Sequence, residues 1–286
     1  QGVKPPFTPL PQPPNHGGKG RDMASSPLTE AATKGLRRLM EGEPSAARLN
    51  RALRHLAKWR SAVLANTLAG QGNTVLAGPC AGMDYSVRAA EGARVPRLIG
   101  SYEASLEPVI ETIAARPYEA VIDIGCAEGY YAVGLARRMP QARVLARDIS
   151  DQAQRLCRKL AEANGVSGRV EVGGLWTHTD FALCDTARSV ILCDIEGAED
   201  ELLDPVAAPG LTRADILVEV HEGMQPGLLA RLTDRFAPTH VVTRIDRSLR
   251  PDRLPAWAER LSDLDRLLFL WEWRASPTPW LWMEAR

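Results

Sequence analysis

Short apolar runs alternate with segments of helical periodicity through the second half of the chain. The runs are rich in β-branched residues, and they predict strands at 120–124, 142–146, 169–172, 189–193 and 215–220. Between them, apolar residues recur every three or four positions, as they do in amphipathic helices. Strands that alternate with helices in this way predict an α/β fold with a mostly parallel sheet and helices on both of its faces.

The ends of the chain follow other patterns. After the fifth run, the pattern predicts a strand at 239–245, a helix at 261–271 and a last strand at 280–284. Residues 1–27 are rich in proline and glycine and poor in large apolar residues, so we expect a flexible tail. Residues 28–95 predict a helical accessory region, with helices near 29–40 and 45–69 and a connector at 70–95, and the α/β domain would fill 96–286.

Composition excludes several classes of protein. The 286 residues include 35 basic and 35 acidic side chains, so no net charge draws the whole molecule to nucleic acid or to an anionic membrane. The five cysteines are odd in number and form no C-x-x-C pair, which argues against a disulfide framework and against a cysteine zinc site. Because no stretch resembles a membrane span or a signal peptide, we expect a cytoplasmic protein without membrane contact.

A glycine-containing turn follows the first strand. Asp123-Ile-Gly125-Cys-Ala-Glu-Gly129 would join the strand to a helix, and such a turn lets a ligand approach the backbone closely. The spacing does not match Gly-x-Gly-x-x-Gly of dinucleotide sites, and the Gly-Lys-Ser/Thr of a phosphate-binding P-loop is absent.

The pattern acid-x-Gly-x-x-x-Gly resembles the first motif of class I S-adenosylmethionine (SAM)-dependent methyltransferases. The resemblance implies a Rossmann-like seven-stranded sheet, mostly parallel with an antiparallel last strand, and SAM as the cofactor. It also implies a cofactor site in three parts. The loop under the methionine part of SAM would comprise Asp123, Gly125, Cys126, Ala127, Glu128, Gly129 and Tyr130. Asp148 would bind the ribose with Ile149 beside it, while Gly174 and Leu175 would serve the adenine, since no acid follows the third strand directly.

Acidic and histidine side chains end two later strands. Asp194 and Glu196 follow the fourth strand, and Glu219 and His221 end the fifth. Because side chains alternate along a strand, each pair can share one face, at the sheet edge where ligands bind in open α/β folds. The runs Asp-Ile-Glu-Gly-Ala-Glu and Leu-Val-Glu-Val-His resemble the FkbM-like branch of these methyltransferases, which implies that the four residues line the methyl-transfer site.

Their chemistry is open to three interpretations. His221 is the natural general base because its ordinary pKa lies near neutrality, with Glu196 or Asp194 as the substitute. The cluster could instead bind a divalent metal or pair for structural reasons, and we assign no metal ligand from the sequence.

Tyr102, in a polar turn before the first strand, would lie at the cofactor rim or cap the next helix. Tryptophans could form an apolar acceptor pocket or belong to the core, at positions 257, 271, 273, 280 and 282.

The sequence therefore predicts a SAM-dependent methyltransferase that O-methylates a small-molecule acceptor, such as a natural product or a sugar-like molecule. Two alternatives remain open. The predicted N-terminal helices carry eight basic residues on their outer faces, which would suit RNA methylation, although a basic helix face is more often only solvated. A non-catalytic SAM-fold subunit would bind SAM without turnover. The N-terminal helices could also form a homodimer interface.

Overall fold

The computed structural model describes residues 26–286 apart from 71, 91 and 275. The predicted tail therefore lies almost wholly outside the described residues. The helices are α1 Pro27–Met40, α2 Ala46–Ala69, α3 Arg94–Ile99, α4 Glu107–Ala115, α5 Tyr130–Arg138, α6 Asp151–Ala163, α7 Glu199–Leu202, α8 Leu228–Phe236 and α9 Asp263–Phe269. The strands are β1 Ala120–Ile124, β2 Arg143–Arg147, β3 Val170–Gly173, β4 Ser189–Cys193, β5 Asp215–Glu219, β6 His240–Ile245 and β7 Trp280–Ala285.

The seven strands form one sheet in the order β3-β2-β1-β4-β5-β7-β6. Only β7 runs against the others in this sheet, between β5 and β6, so the predicted Rossmann-like methyltransferase sheet with an antiparallel last strand is confirmed. Ile124 at the end of β1 lies opposite Arg147 of β2 and Cys193 of β4. The loops that follow these three strands therefore start at the same level of the sheet.

Both faces of the sheet are covered. Every residue of β1, β4 and β5 is buried, which explains why their sequences are continuous apolar runs rather than alternating ones. One face packs against α3, α4, α5 and α6, and the other against α8 and the segments around Phe181 and Leu211. Trp176 belongs to this second core, where its ring meets that of Phe181 edge-on at 5.8 Å.

The predicted connector and the turn after it need a correction. Residues 94–99 form the short helix α3, and Val95, Leu98 and Ile99 are buried in the core. Pro96 lies in the first turn of α3. A proline is tolerated there because a backbone N–H at this position would have no partner within the helix. Gly100 ends the helix with a φ of 78°. The polar turn that contains Tyr102 therefore begins only after α3.

The accessory helices also differ from expectation in what they bury. Leu49, Leu53 and Leu56 recur at helical spacing but are exposed. The first half of α2 packs mainly against α1, for example where His55 Nε2 lies 2.8 Å from the carbonyl oxygen of Ala32. Leu64, Ala65 and Leu68, in the second half, are buried in the main core. Among the described helices, none is both long and apolar enough to cross a membrane.

The buried His240 gives the fold a pH dependence. Its Nε2 donates to the Ala214 carbonyl oxygen at 3.0 Å, and burial lowers its pKa below the ordinary value. Below about pH 6.5 the unfolded chain therefore binds a proton that the folded chain resists, which lowers the free energy of unfolding as the pH falls. In urea titrations, His240→Gln should lose less stability between pH 7.5 and 5.5 than the wild type. His178→Gln, at a half-buried histidine, is the control, and equal pH dependence of all three proteins would contradict this role.

Candidate functional site

A cavity of about 820 Å³ opens at the carboxyl ends of the central strands. Of the sixteen residues predicted for the site, all but Gly129 line it. The two predicted groups, the cofactor loop and the acidic tips of β4 and β5, therefore share one cavity. They come together because the parallel strands end at one level, so the loops after them converge at the same edge of the sheet.

The loop between β1 and α5 owes its shape to left-handed backbone conformations. Gly125, Ala127 and Gly129 have φ angles of 82°, 48° and 89°. A Cβ on Gly125 would lie 1.6 Å from the carbonyl oxygen of Asp194, so only glycine allows the loop to pack against the end of β4. Cys126 is buried, and its interaction with Cys157 together with burial raises its pKa, which makes it a poor nucleophile.

Asp148 joins the tip of β2 to this loop. Its Oδ2 accepts a hydrogen bond from the Ala127 N–H at 2.9 Å, and its Oδ1 accepts one from the Ser150 N–H at 2.8 Å. These bonds orient the carboxylate at the wall of the cavity, and each oxygen retains a lone pair for a further donor. The geometry suits a carboxylate that binds two neighbouring hydroxyl groups.

Two apolar side chains flank Asp148. Ile149 is 82% exposed and Leu175 is 74% exposed, and both line the cavity. Exposed large apolar residues in a cavity fit the faces of a flat ring such as adenine. Trp176, by contrast, is buried in the core and is covered by the guanidinium of Arg147, 5.3 Å from the centroid of its ring.

Glu128 and Tyr102 lie at the side of the cavity nearest the accessory region. The Glu128 carboxylate accepts hydrogen bonds from the Tyr85 hydroxyl and the Ala90 N–H, and it pairs with Arg97 at 3.1 Å. It therefore connects the cofactor loop to residues 85–97. The Arg97 guanidinium also lies 4.0 Å from the centroid of the Tyr102 ring, which fixes this ring at the cavity wall.

His221 occupies the centre of the acidic cluster. Its Nδ1 lies 2.7 Å from Oε1 of the fully buried Glu199, so it donates there and Nε2 points to the cavity side. Nε2 lies 3.5 Å from Glu196, 3.6 Å from Asp194 and 3.9 Å from Glu219. Burial lowers the pKa of His221, but its hydrogen bond to Glu199 and the surrounding carboxylates outweigh burial and raise the pKa above its ordinary value.

Arg274 balances much of the negative charge. It precedes β7 and contacts the carboxylates of Glu219, Glu103 and Glu272, and its Nη1 also donates to the Thr278 hydroxyl. Glu103 has a left-handed φ of 47°, and its backbone N–H donates to Glu272 at 3.0 Å. One guanidinium therefore connects the end of β5 to the turn before α4.

Two buried carboxylate oxygens of cavity-lining residues remain without a hydrogen bond. Oδ2 of Asp123 and Oδ1 of Asp194 are buried, and neither has a hydrogen-bond partner among the described residues. Burial raises the pKa of Asp123 and of Asp194 to about 7, with further contributions from neighbouring carboxylates. A cationic ligand would stabilise both groups. SAM carries a positive sulfonium and an ammonium group, so its charge fits these residues.

Three contributors to the site escaped prediction from the sequence. Glu199 lies in the same acidic run as Asp194, and a third acid within six residues was the available signal. Arg274 and Glu272 lie in a segment that carries no motif, and only the position of β7 beside β5 brings them to the cavity. Glu103, which follows Tyr102 in the polar turn, is also buried, and its carboxylate pairs with Arg274.

Comparisons with known proteins support the cofactor half of the site. Residues 121–201 match the family model described as a methyltransferase domain. The release factor glutamine methyltransferase of Chlorobaculum tepidum is 33% identical over 108 residues, which cover 36% of this chain and 36% of that protein. The chain thus matches about a third of the length of this curated relative. For the matched segment, the predicted domain class, with SAM as its cofactor, is confirmed.

Solved structures with this fold are only distantly similar. An O-methyltransferase described as putative, from Klebsiella pneumoniae, matches with a TM-score of 0.44 and 11% identity over 90% of this chain and 97% of that chain. The O-methyltransferase TomG from Streptomyces achromogenes matches with a TM-score of 0.44 and 14% identity over 65% of this chain and 81% of that chain. At this distance the acceptor and the FkbM-like branch stay predictions.

The fit of Gly125 against β4 is testable. Gly125→Ala would combine a left-handed φ with a clash against the Asp194 backbone, so we expect a loss of more than about 3 kcal/mol in the free energy of unfolding. Gly168→Ala is the matched control, because its Cβ would meet open space. Chemical denaturation measures both. A Gly125→Ala protein as stable as the control would contradict the described loop.

Proposed function

We propose that this protein is a SAM-dependent methyltransferase that methylates a hydroxyl group of a small-molecule acceptor. The observation that carries the proposal is the shared cavity, in which the cofactor loop after β1 lies beside the cluster of Asp194, Glu196, Glu219 and His221. A methyl donor and a group that accepts a proton must meet within one site, and this cavity has room for a cofactor and a small acceptor together.

The cofactor half would act by binding and orientation. Asp148 would accept hydrogen bonds from the ribose hydroxyls, Ile149 and Leu175 would enclose the adenine, and the backbone of residues 125–129 would run under the methionine part. Asp123 and Asp194 would face the cationic end of the cofactor. When bound, SAM supplies an electrophilic methyl group, and the residues around it determine which acceptor atom meets that group in line.

The acceptor half must remove a proton. As the acceptor oxygen forms its bond to the methyl carbon, the sulfur keeps the electrons of the broken bond and the hydroxyl proton passes to a base. The sequence favours His221 as this base, but the geometry favours Glu196. Nδ1 of His221 is held by Glu199 and its side chain is 94% buried, while the Glu196 side chain is 59% exposed at the cavity. A left-handed φ of 53° at Glu196 sets the direction of its side chain.

The acceptor class is inferred from the opposite wall. Trp273 and Trp280 line the cavity together with Lys58, whose ammonium lies 4.8 Å from the Trp273 ring centroid. Trp280 also belongs to the core, and Trp257, Trp271 and Trp282 pack with the core alone. Aromatic faces beside polar groups suit a sugar-like or natural-product acceptor, as expected for the FkbM-like branch that the acidic motifs resemble.

The basic residues of α2 weaken the RNA alternative. Arg54 donates to the Trp273 carbonyl oxygen at 3.3 Å, Lys58 contacts the Trp273 ring, and Arg60 pairs with Asp265 at 2.7 Å. These basic side chains are therefore engaged within the protein rather than available to a polyanion.

The exposed Leu49, Leu53 and Leu56 support the proposed homodimer through the N-terminal helices, because an apolar helix face is stabilised by burial.

Ribose recognition gives the first test of this function. Asp148→Ala would remove an ionised acceptor of hydrogen bonds, so we expect SAM and S-adenosylhomocysteine to bind roughly 10- to 100-fold more weakly in calorimetry. Asp151→Ala, which changes an exposed acid three residues away, should bind both like the wild type. NAD and ATP serve as ligand controls. An unchanged affinity in Asp148→Ala would remove the ribose assignment, and a preference for NAD would overturn the proposed function.

The base is tested separately from the cofactor. Glu196→Gln should bind SAM like the wild type but form S-adenosylhomocysteine about 10²- to 10⁴-fold more slowly with hydroxylated acceptors. Glu201→Gln is the matched control, since this exposed acid in α7 lies outside the cavity lining. Full turnover by Glu196→Gln, with loss confined to His221→Gln, would return the base role to His221. SAM binding with no turnover on any acceptor would favour a non-catalytic subunit.

A further inference from the structure

We propose that Asp194, Glu219 and His221 form a binding site for a divalent transition-metal ion. One ligand atom from each residue lies within 4.8 Å of the other two. His221 Nε2 is 3.6 Å from Asp194 Oδ1 and 3.9 Å from Glu219 Oε2. Ligands about 2.1 Å from one ion lie about 3.0–3.4 Å apart, so side-chain rotations that move the ligand atoms by up to about 1.5 Å would complete the site.

The orientation of His221 supports a ligand at Nε2. Its side chain is 94% buried, and its only hydrogen bond within the described part of the chain is the one from Nδ1 to Glu199. Histidine ligands in proteins usually donate their second ring N–H to a carboxylate in this way, which fixes the tautomer and presents the other nitrogen to the metal. Nε2 therefore carries a lone pair that a metal ion can accept, and it points at three carboxylates.

Asp194 and Glu219 each have a carboxylate oxygen available to a cation. Oδ1 of Asp194 is buried with no hydrogen-bond partner in the described regions of the protein. Glu219 is buried, and Arg274 and Thr278 bind its Oε1, which leaves Oε2 on the side of His221. Arg274 therefore holds the Glu219 carboxylate in place while its other oxygen stays available.

The donor set narrows the identity of the ion. One imidazole nitrogen with two carboxylates suits Mn²⁺, Fe²⁺, Co²⁺ or Zn²⁺ better than Mg²⁺ or Ca²⁺, which prefer oxygen alone. Glu196 has a carboxylate oxygen 3.5 Å from Nε2 but is exposed, so it can remain free as the base. Provided that the proposed function holds, an acceptor hydroxyl bound to this ion would be more acidic and would lie beside Glu196.

Mn²⁺ binding tests the site without any turnover. The full chain, without a histidine tag and treated with a chelator, is titrated with Mn²⁺ and followed by calorimetry and by the electron paramagnetic resonance of free Mn²⁺. We expect one saturable site per chain with a Kd below about 1 mM. Asp194→Asn should bind at least about tenfold more weakly, and Glu199→Gln about 10- to 100-fold more weakly through loss of the support for His221. His178→Gln is the matched histidine control and should bind like the wild type.

A second measurement keeps the proposal testable if a variant fails to fold. Pulsed electron paramagnetic resonance of Mn²⁺ bound to the wild type should show coupling to an imidazole nitrogen. No saturable binding, no nitrogen coupling, or unchanged affinity in Asp194→Asn would each overturn the metal site. SAM binding is measured on the same preparation. SAM binding without Mn²⁺ binding overturns only the metal site, and Mn²⁺ binding without SAM binding overturns only the proposed function.

Discussion

The site depends on the balance of charge around Arg274. Glu103, Glu219 and Glu272 are buried carboxylates, and all three contact this one guanidinium. Without it, like charges in a cavity shielded from water would repel one another or take up protons. Burial and the charge of Glu103 already raise the pKa of Glu272 to about 6 despite its pairing with Arg247. A guanidinium suits this position because it stays charged and presents several donors in one plane.

The antiparallel strand β7 explains how Arg274 reaches the cluster. β7 pairs with β5, and Trp280 at its start lies opposite Glu219 at the end of β5. The segment before β7 must therefore pass over the carboxyl end of β5, where Arg274, Thr278 and Trp273 line the cavity. Trp273 in turn contacts Arg54 and Lys58 of α2. The accessory helix and the C-terminal segment thus form one wall, opposite the cofactor loop.

How much of this site the sequence predicts depends on how far apart in the chain the interacting residues lie. Asp148, Asp194 and His221 follow strands directly, and strand periodicity with the α/β alternation was enough to bring them to one edge. Arg274 reaches Glu219 across 55 positions, so no local pattern could indicate the pair. The exposed Leu49, Leu53 and Leu56 show a related limit. Periodicity predicts that a helix has an apolar face, but not whether its own domain covers that face.

The two halves of the cavity are joined through backbone contacts rather than through side chains alone. Gly125 packs against the backbone of Asp194, and the Asp194 N–H donates to the Ile124 carbonyl oxygen at 2.9 Å. The cofactor loop and the first residue of the acidic cluster therefore keep a fixed relation. Lys58 and Trp273 lie in a wall that side chains hold together. Changes of acceptor are consequently easier to accommodate in that wall than in the acidic cluster, because a shift of Asp194 would also move the cofactor loop.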